Sequence, residues 1–514
     1  MTETENNLIY YSTVNYNLYL KSNFYLIQMS YQKNFSFLFT SLYLSFSSFN
    51  GVFAQELKNP PEKNALTTEN STTQFNSSPN PLLFPTKPSE VKIEKQKSVT
   101  LEEAIEIALK NNKELQTVRI ELQRAEDGLN ASLASQLPTV EGQLELNQRG
   151  DDTPTGQAQG ETFLRDRTLL LGQLEVGYDV YNGGRRNAEI TRSRQQVYLS
   201  KLEIERISEE TRLNTTNSYY ELQNNDAQVA IAQAAIEDFS QTLRDAQLLE
   251  QAGLGTKFDV LQAEVDLANA NQALTRAISE QRNARRRLAE VLSVGQNVEL
   301  TAADEIKENG VWQYSLDESI VMAYKNRVEL QQLLVRADIS AQDREIALSQ
   351  TRPQVSLFAN YNFTNTFSDS LNNTGYANGY NLGARMRWQF FDGGVAKARS
   401  DQETRNIEIE ETKFATQRNQ IRLEIETAYN NLVANQENIN TTEKAVVTAT
   451  ESLRLARLRF QAGVGTQTDV INAQRSLTEA RGNFLQAIIG YNQSLNQLQR
   501  AVSNLPDGKL FQIR

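Results

Sequence analysis

The chain is written twice. VTLEEAIEIALKNNKELQ from Val99 returns 215 residues later as YSLDESIVMAYKNRVELQ from Tyr314, and Pro138 (in SQLPTVEGQ) and Pro353 (in SQTRPQVSL) keep that offset. Past the prolines the offset falls to 210. There YDVYNGG at Tyr178 pairs with FFDGG at Phe390, and QAGLGTKFDVLQAE at Gln251 pairs with QAGVGTQTDVINAQ at Gln461, identical at eight of fourteen positions. The change of offset puts a deletion between the proline and the Gly-Gly pair, where a loop belongs. Two halves, 98–300 and 313–504, are joined by 301–312 and followed by a tail, 505–514, and they must share one fold.

Within each half the residue pattern changes period in a fixed order. Between Ser98 and Leu505 there are only three prolines, Pro138, Pro154 and Pro353, so long helices are permitted. Thr100 with Glu103, and Ser315 with Glu318, read as capping boxes that open a helix; a break at Asn111 or Asn326 precedes the helix-to-strand corners at Pro138 and Pro353. Apolar residues then alternate with polar ones, as in Val140, Gly142, Leu144 and Leu146 against Glu141, Gln143 and Glu145. The returning strands carry Leu170 to Val180 and Leu382 to Phe390. The spacing predicts a β-hairpin per half, with strands near ten residues, the length that crosses a bilayer at a tilt, and with outer loops around 148–167 and 365–379.

Gly183-Gly184 and Gly393-Gly394 end the strands. A helical pattern follows from about 185 to 251 and from about 395 to 461, each on the order of 100 Å long at 1.5 Å per residue. The quoted glycine motifs then reverse the chain. Gly253 and Gly255, like Gly463 and Gly465, fit a turn with φ > 0, and Thr256 and Thr466 fit N-caps of the returning helices with Asp259 and Asp469 three residues on. Returning helices span about 256–293 and 466–503. Tyr178, Tyr181, Trp388, Phe390 and Phe391 cluster before the Gly-Gly turns, either as an interfacial belt or as packing against the helix start.

The N-terminus has the order of a secretory signal. From Met29 one lysine precedes an aromatic and aliphatic run, Phe35 to Phe49, and then Val52-Phe53-Ala54, with cleavage after Ala54; the competing reading is an N-terminal membrane anchor. Residues 1–28 are an extension ahead of that start. The segment 55–97 holds six of the ten prolines among Asn, Ser and Thr and reads as a disordered tether. No segment offers 18 consecutive apolar residues for a membrane helix.

Composition removes several functions. A net charge of −11 argues against nucleic acid as a partner. With no cysteine and no histidine, thiol nucleophiles, imidazole bases and the usual metal ligands are unavailable. No phosphate-binding or dinucleotide fingerprint appears, so no catalytic, metal or cofactor site is expected, and an enzyme would need a carboxylate pair that the sequence does not display. Four amphipathic strands cannot stand in a membrane with open edges, and the smallest barrels use about eight. Several chains must therefore contribute to one barrel. The alternative is a soluble or peripheral coiled-coil scaffold without a barrel.

The order of helix, hairpin, Gly-Gly turn, very long helix, glycine nick and returning helix, present twice over 98–504, resembles the TolC-like outer-membrane efflux proteins. YNGG, FDGG, AGLGTKFDVLQA and FQAGVGTQTDVINAQ carry the likeness. The resemblance implies an α+β membrane protein: a trimeric, twelve-stranded β-barrel, four strands per protomer, continued by a long α-helical barrel. It implies a homotrimer in outer-membrane lipid, with the tunnel in the periplasm docking on a periplasmic adaptor (membrane fusion) protein and an inner-membrane ABC or RND-type pump. It implies that Gly253, Leu254, Gly255, Thr256, Gly463, Val464, Gly465 and Thr466 meet the adaptor. Asp259 and Asp469, with Phe460, Gln262 and Asn472, would form the periplasmic gate. Phe460 stands where some members have a tyrosine, Gly465 where they have an arginine, and Glu250 is the non-aromatic counterpart of Phe460, so the resemblance implies a gate that is looser or differently wired than theirs.

Overall fold

The computed structural model describes residues 82, 84–93, 95–154, 162–295, 297–369 and 374–503. The signal sequence, residues 55–81 of the tether and residues 504–514 lie outside the described residues. The last part of the segment read as disordered is corrected: it forms a 3-10 turn, Pro88–Val91, and strand β1, Lys95–Val99. β1 pairs in parallel with β4, Val298–Ala302, from Lys95↔Val298 to Val99↔Ala302. KQKSV shows no alternation, and its partner is some 200 residues away, so no local pattern announces it.

Each half opens with two helices. In the first these are α1 (Leu101–Asn111) and α2 (Lys113–Ala134), in the second α5 (Leu316–Asn326) and α6 (Val328–Ser349). Both capping boxes are present, Glu103 N–H reaching Thr100 Oγ1 at 3.2 Å and Glu318 N–H reaching Ser315 Oγ at 3.3 Å. The breaks fall at Asn112 and Arg327, one residue past the asparagines.

The four long strands are β2 (Thr139–Pro154), β3 (Thr162–Asn182), β5 (Gln354–Asp369) and β6 (Gly375–Arg387). They make one sheet in the order β2-β3-β5-β6 with every neighbour antiparallel, so the hairpins of the two halves join through β3 and β5. At 16, 21, 16 and 13 residues the strands exceed the expected ten and run through most of the expected loops. Only the apolar alternation is near ten residues long. The ladder continues past it, because backbone pairing does not require apolar side chains. At the other end β6 stops at Arg387, so Trp388 and Phe390 lie beyond the strand.

The register puts polar and apolar residues on opposite faces. Opposite one another on one face stand Glu141, Glu175, Asn360 and Asn381; on the other stand Val140, Val176, Ala359 and Leu382. Most large apolar residues of the second face are exposed: Val140, Leu144, Leu146, Leu174, Leu357, Tyr361 and Leu382 are all at least 43% accessible. An apolar outer face backed by a polar one is the pattern of a barrel wall in lipid.

Both Gly-Gly pairs adopt the left-handed region (φ 70 and 91 at 183 and 184, 72 and 88 at 393 and 394) and start helices α3 (Arg185–Gln251) and α7 (Val395–Gln461), each 67 residues long. A Cβ on Gly183 would also lie 2.7 Å from the Ser349 carbonyl, so that site is closed to other residues twice over. Returning helices α4 (Lys257–Val291) and α8 (Gln467–Val502) complete the arms. No helix among the described residues is long and apolar enough to cross a membrane.

Burial concentrates halfway along the arms. In the first half Tyr219, Leu222, Leu288, Leu292, Val99 and Leu300 form one core, and in the second Ile421, Ile425, Tyr491, Leu495 and Leu498 form another. The Tyr219 hydroxyl lies 2.7 Å from the Asp304 carboxylate and 3.0 Å from the Val99 carbonyl. Beside the second core, Arg327 is buried between Glu329 (2.9 Å) and Glu424 (2.9 Å), and Arg500 bridges Glu329 (2.8 Å) to Glu209 (3.3 Å).

Candidate functional site

The far end of the arms carries the sequence motif that invites a functional reading, and its backbone explains most of the motif. Leu254 N–H and Gly253 N–H donate to the Leu249 and Glu250 carbonyls at 2.9 Å each; Val464 and Gly463 repeat this onto Arg459 and Phe460 at 3.0 Å. With φ of 72 at Gly253 and 70 at Gly463, these are Schellman closures, in which the C′ residue must be left-handed. The second glycine of each motif differs from expectation, for neither Gly255 nor Gly465 has positive φ. Their constraint is space: a Cβ on Gly255 would sit 3.1 Å from Glu250 N, and one on Gly465 3.0 Å from Arg459 Cβ. The backbone of the turn passes too near the end of the incoming helix for a side chain.

The two aspartates are occupied as caps. Asp259 accepts from the Thr256 N–H at 3.0 Å and hydroxyl at 2.6 Å, and Asp469 accepts from the Thr466 N–H at 2.9 Å. The backbone N–H of Thr466, and then its hydroxyl, hold the Asp469 carboxyl below the usual carboxylate range. Phe460 is half-buried against Leu453, Val470, Ala473 and Leu477 within its own arm. Gln262 donates to Asp266 at 3.1 Å, and Asn472 is exposed. None of the five residues assigned to the gate has its side chain bonded across the two halves.

Other residues make that connection. Arg457 of α7 meets Asp238 of α3 at 2.6 Å, and Arg475 of α8 meets Asp266 of α4 at 2.6 Å. Gln474 donates to the Asp238 carbonyl at 2.9 Å and to Thr242 Oγ1 at 2.7 Å, and Gln467 donates to the Asp259 carbonyl at 2.8 Å. Asp266 is the most buried of the charges, its side chain 2% exposed. Together these contacts clamp the first arm to the second just above the tip. The sequence held no signal for them beyond the presence of charge, since the partners lie 219 and 209 residues apart.

Apolar surface at the tip is unequal between the halves. Leu254 and Val464 stand out at both turns, 80% and 68% exposed. Along α4, Phe258, Leu261 and Val265 are also open, at 72%, 50% and 54%, whereas Ile471, the counterpart of Leu261, is 5% exposed. At the other end of the arms, the Trp388 and Phe390 rings lie 4.6 Å apart at a tilt of 37° and Trp388 Nε1–H donates to the Thr351 carbonyl at 3.1 Å, while Phe390 and Phe391 stay exposed.

Comparison with known proteins agrees with this geometry. The model of the family described as outer membrane efflux protein matches residues 104–294 and 319–504, one stretch in each half. The outer membrane protein TolC of Vibrio cholerae is 24% identical over 197 residues, 38% of this chain; the match spans only 45% of that relative's length. Among solved structures, VceC of Vibrio cholerae superposes with a TM-score of 0.66 at 20% identity, covering 78% of this chain and 95% of that one. The CmeC outer membrane channel of Campylobacter jejuni gives 0.67 at 15% identity, over 84% and 94%.

Proposed function

We propose, from the premise that this chain belongs to the outer membrane efflux protein family, that it is a passive, trimeric exit duct. Members of that family reside in the outer membrane of Gram-negative-type bacteria with their helical part in the periplasm. The observation that carries the reading is the four-stranded sheet: it has an apolar face, a polar face and two open edges, β2 and β6. In lipid such edges leave backbone groups unpaired at several kcal/mol each. Three copies closing edge to edge give a twelve-stranded barrel, and their arms then line up as a helical tunnel beneath it.

The exposed tips, Leu254 and Val464 with their neighbouring turn residues, dock on a periplasmic adaptor served by an inner-membrane pump, in a tripartite efflux or type I secretion system. Rigid scaffolds that end in exposed loops commonly present partners there. Opening the tunnel requires the two arms of a protomer to part at the tip. The clamps Arg457–Asp238 and Arg475–Asp266 stand against that motion, with Asp259 and Asp469 as caps first and an acidic collar second. Fractionation followed by mass measurement in detergent tests the duct. A heat-sensitive trimer from the outer membrane is expected; a soluble monomer would leave only the coiled-coil scaffold.

A further inference from the structure

Near its helical end the polar face of the sheet carries acids on β2 and β3 and arginines on β6. Glu141 of β2 stands directly opposite Glu175 of β3, a like-charge pair that is unfavourable on neighbouring strands. Arg385 and Arg387 stand on the same face of β6, at the opposite edge. Arg385 lies over the Phe358 ring at 4.9 Å. Among the described residues neither arginine forms an ion pair with the glutamates, and Glu141 is out of reach of both within one copy. β2 and β6 are three strand spacings apart, about 14 Å at the usual 4.8 Å each.

We infer that β6 of one copy pairs antiparallel with β2 of the next in a charge-matched seam, Arg385 and Arg387 flanking Glu141 at the periplasmic end of the barrel interior. The inference rests on the trimeric duct reading and adds which residues close it. Register supports it independently of charge. β6 ends at Arg387 and β2 begins at Thr139, each next to the helical region. A flush pairing of those ends uses the whole length of β6. It sets Arg387 opposite Thr139, Arg385 opposite Glu141 and Gly383 opposite Gln143, all of them on the polar face.

The same pairing satisfies barrel geometry. Within one copy the ladder runs level from Thr139 through Gly177 and Phe358 to Gly383. The seam moves Gly383 from the level of Thr139 to that of Gln143 of the next copy, a stagger of four residues. Repeated over three copies, the total stagger equals the number of strands. That is the ratio found where strands tilt by about 36°, inside the range barrels adopt. Charge, strand ends and tilt thus converge on one register. A seam shifted by one residue would set polar-face residues of β6 opposite lipid-face residues of β2, which the faces fixed by β5 and β3 forbid.

The chain contains no cysteine, which makes disulfide trapping free of background. In full-length protein in outer-membrane vesicles, the double variant Glu141→Cys with Arg385→Cys should yield covalent trimers on oxidation. Val140→Cys with Arg385→Cys, on opposite faces, should not. Arg385→Glu should lower the temperature at which the trimer dissociates in detergent, and adding Glu141→Arg should restore it. A detergent-stable trimer that fails to crosslink at 141/385, or crosslinks equally well at 140/385, would overturn the seam while leaving the duct intact. A wild-type chain that is monomeric in detergent would overturn the duct reading itself.

Discussion

If the clamps hold the tip shut, neutralising their acids should open it. Asp266→Asn keeps the shape of a side chain that is 2% exposed while removing the charge that faces Arg475 at 2.6 Å. Arg475 is 59% exposed and stays hydrated, so the loss is smaller than for a fully buried pair: about 1–2 kcal/mol for exchanging a charge-assisted bond for a neutral one. Asp238 and Arg457 are 24% and 30% exposed, which places Asp238→Asn at about 1 kcal/mol. Gln474 still reaches the Asp238 backbone in that variant, so the arms keep one tie. Together the two changes favour parted arms by about 2–3 kcal/mol. At 1.4 kcal/mol per factor of ten, that raises the open fraction roughly 30-fold or more while opening remains rare.

Single-channel recording of the purified trimer in planar bilayers reads this directly as open probability. The control lies at the same tip. Thr256→Ala with Thr466→Ala removes both caps, at about 1 kcal/mol each, but cuts no side-chain contact between the halves. It should lower thermal stability without opening the channel. The reasoning fails if the two clamp variants combined lower stability and leave open probability at the wild-type level, or if the cap variant opens the channel as much as the clamp variant does.

The remaining predictions concern folding. Gly253→Ala and Gly463→Ala each force a Cβ into the left-handed region and should cost about 1 kcal/mol in thermal melts; a cost at one turn alone would contradict their equivalence. Arg327→Met should cost about 3 kcal/mol in denaturant melts, because it leaves Glu329 and Glu424 without their shared partner. Burial alone pushes the Glu329 carboxyl up, but the hydrogen bond and charge of Arg327, then Arg500, override it and hold its pKa at about 2. Its contribution is therefore complete above the ordinary Glu range and lost as pH falls toward about 2. Glu209 has the opposite sign: burial raises its pKa, only partly opposed by Ser503 and Arg500, so its ionised form costs stability at neutral pH. Glu329→Gln should lower the melting temperature at pH 7 by an amount that shrinks below pH 4.5, and Glu209→Gln should not lower it at pH 7. Gly172→Val should disrupt the β3–β5 pairing by about 1–3 kcal/mol, since a Cβ there would overlap the Phe363 ring.

What was legible from residues alone follows the range of each interaction. Arg185–Gln251 and Val395–Gln461 begin and end where the Gly-Gly pairs and the AGxGT motifs placed them, because caps and turns act over three to five residues. The two faces of the sheet were legible from alternation. The β3–β5 junction, the β1–β4 ladder and the clamps were not, because each joins residues far apart in sequence, and their partners leave no mark on local pattern. Duplication misled in one respect: equivalent sequence does not mean equivalent surroundings. α8 lies between α7 and α3, whereas α4 packs chiefly on α3 and leaves Phe258, Leu261 and Val265 open. A chain built of two like halves thus still has two unlike sides. α4 and α7 bound its arms as β2 and β6 bound its sheet: the helix α4 leaves apolar side chains open, and the strands leave backbone groups unpaired. In the proposed trimer, β6 meeting β2 and α7 meeting α4 of the next copy would cover both at once, so the asymmetry that the duplication hides is the one that such a ring would use.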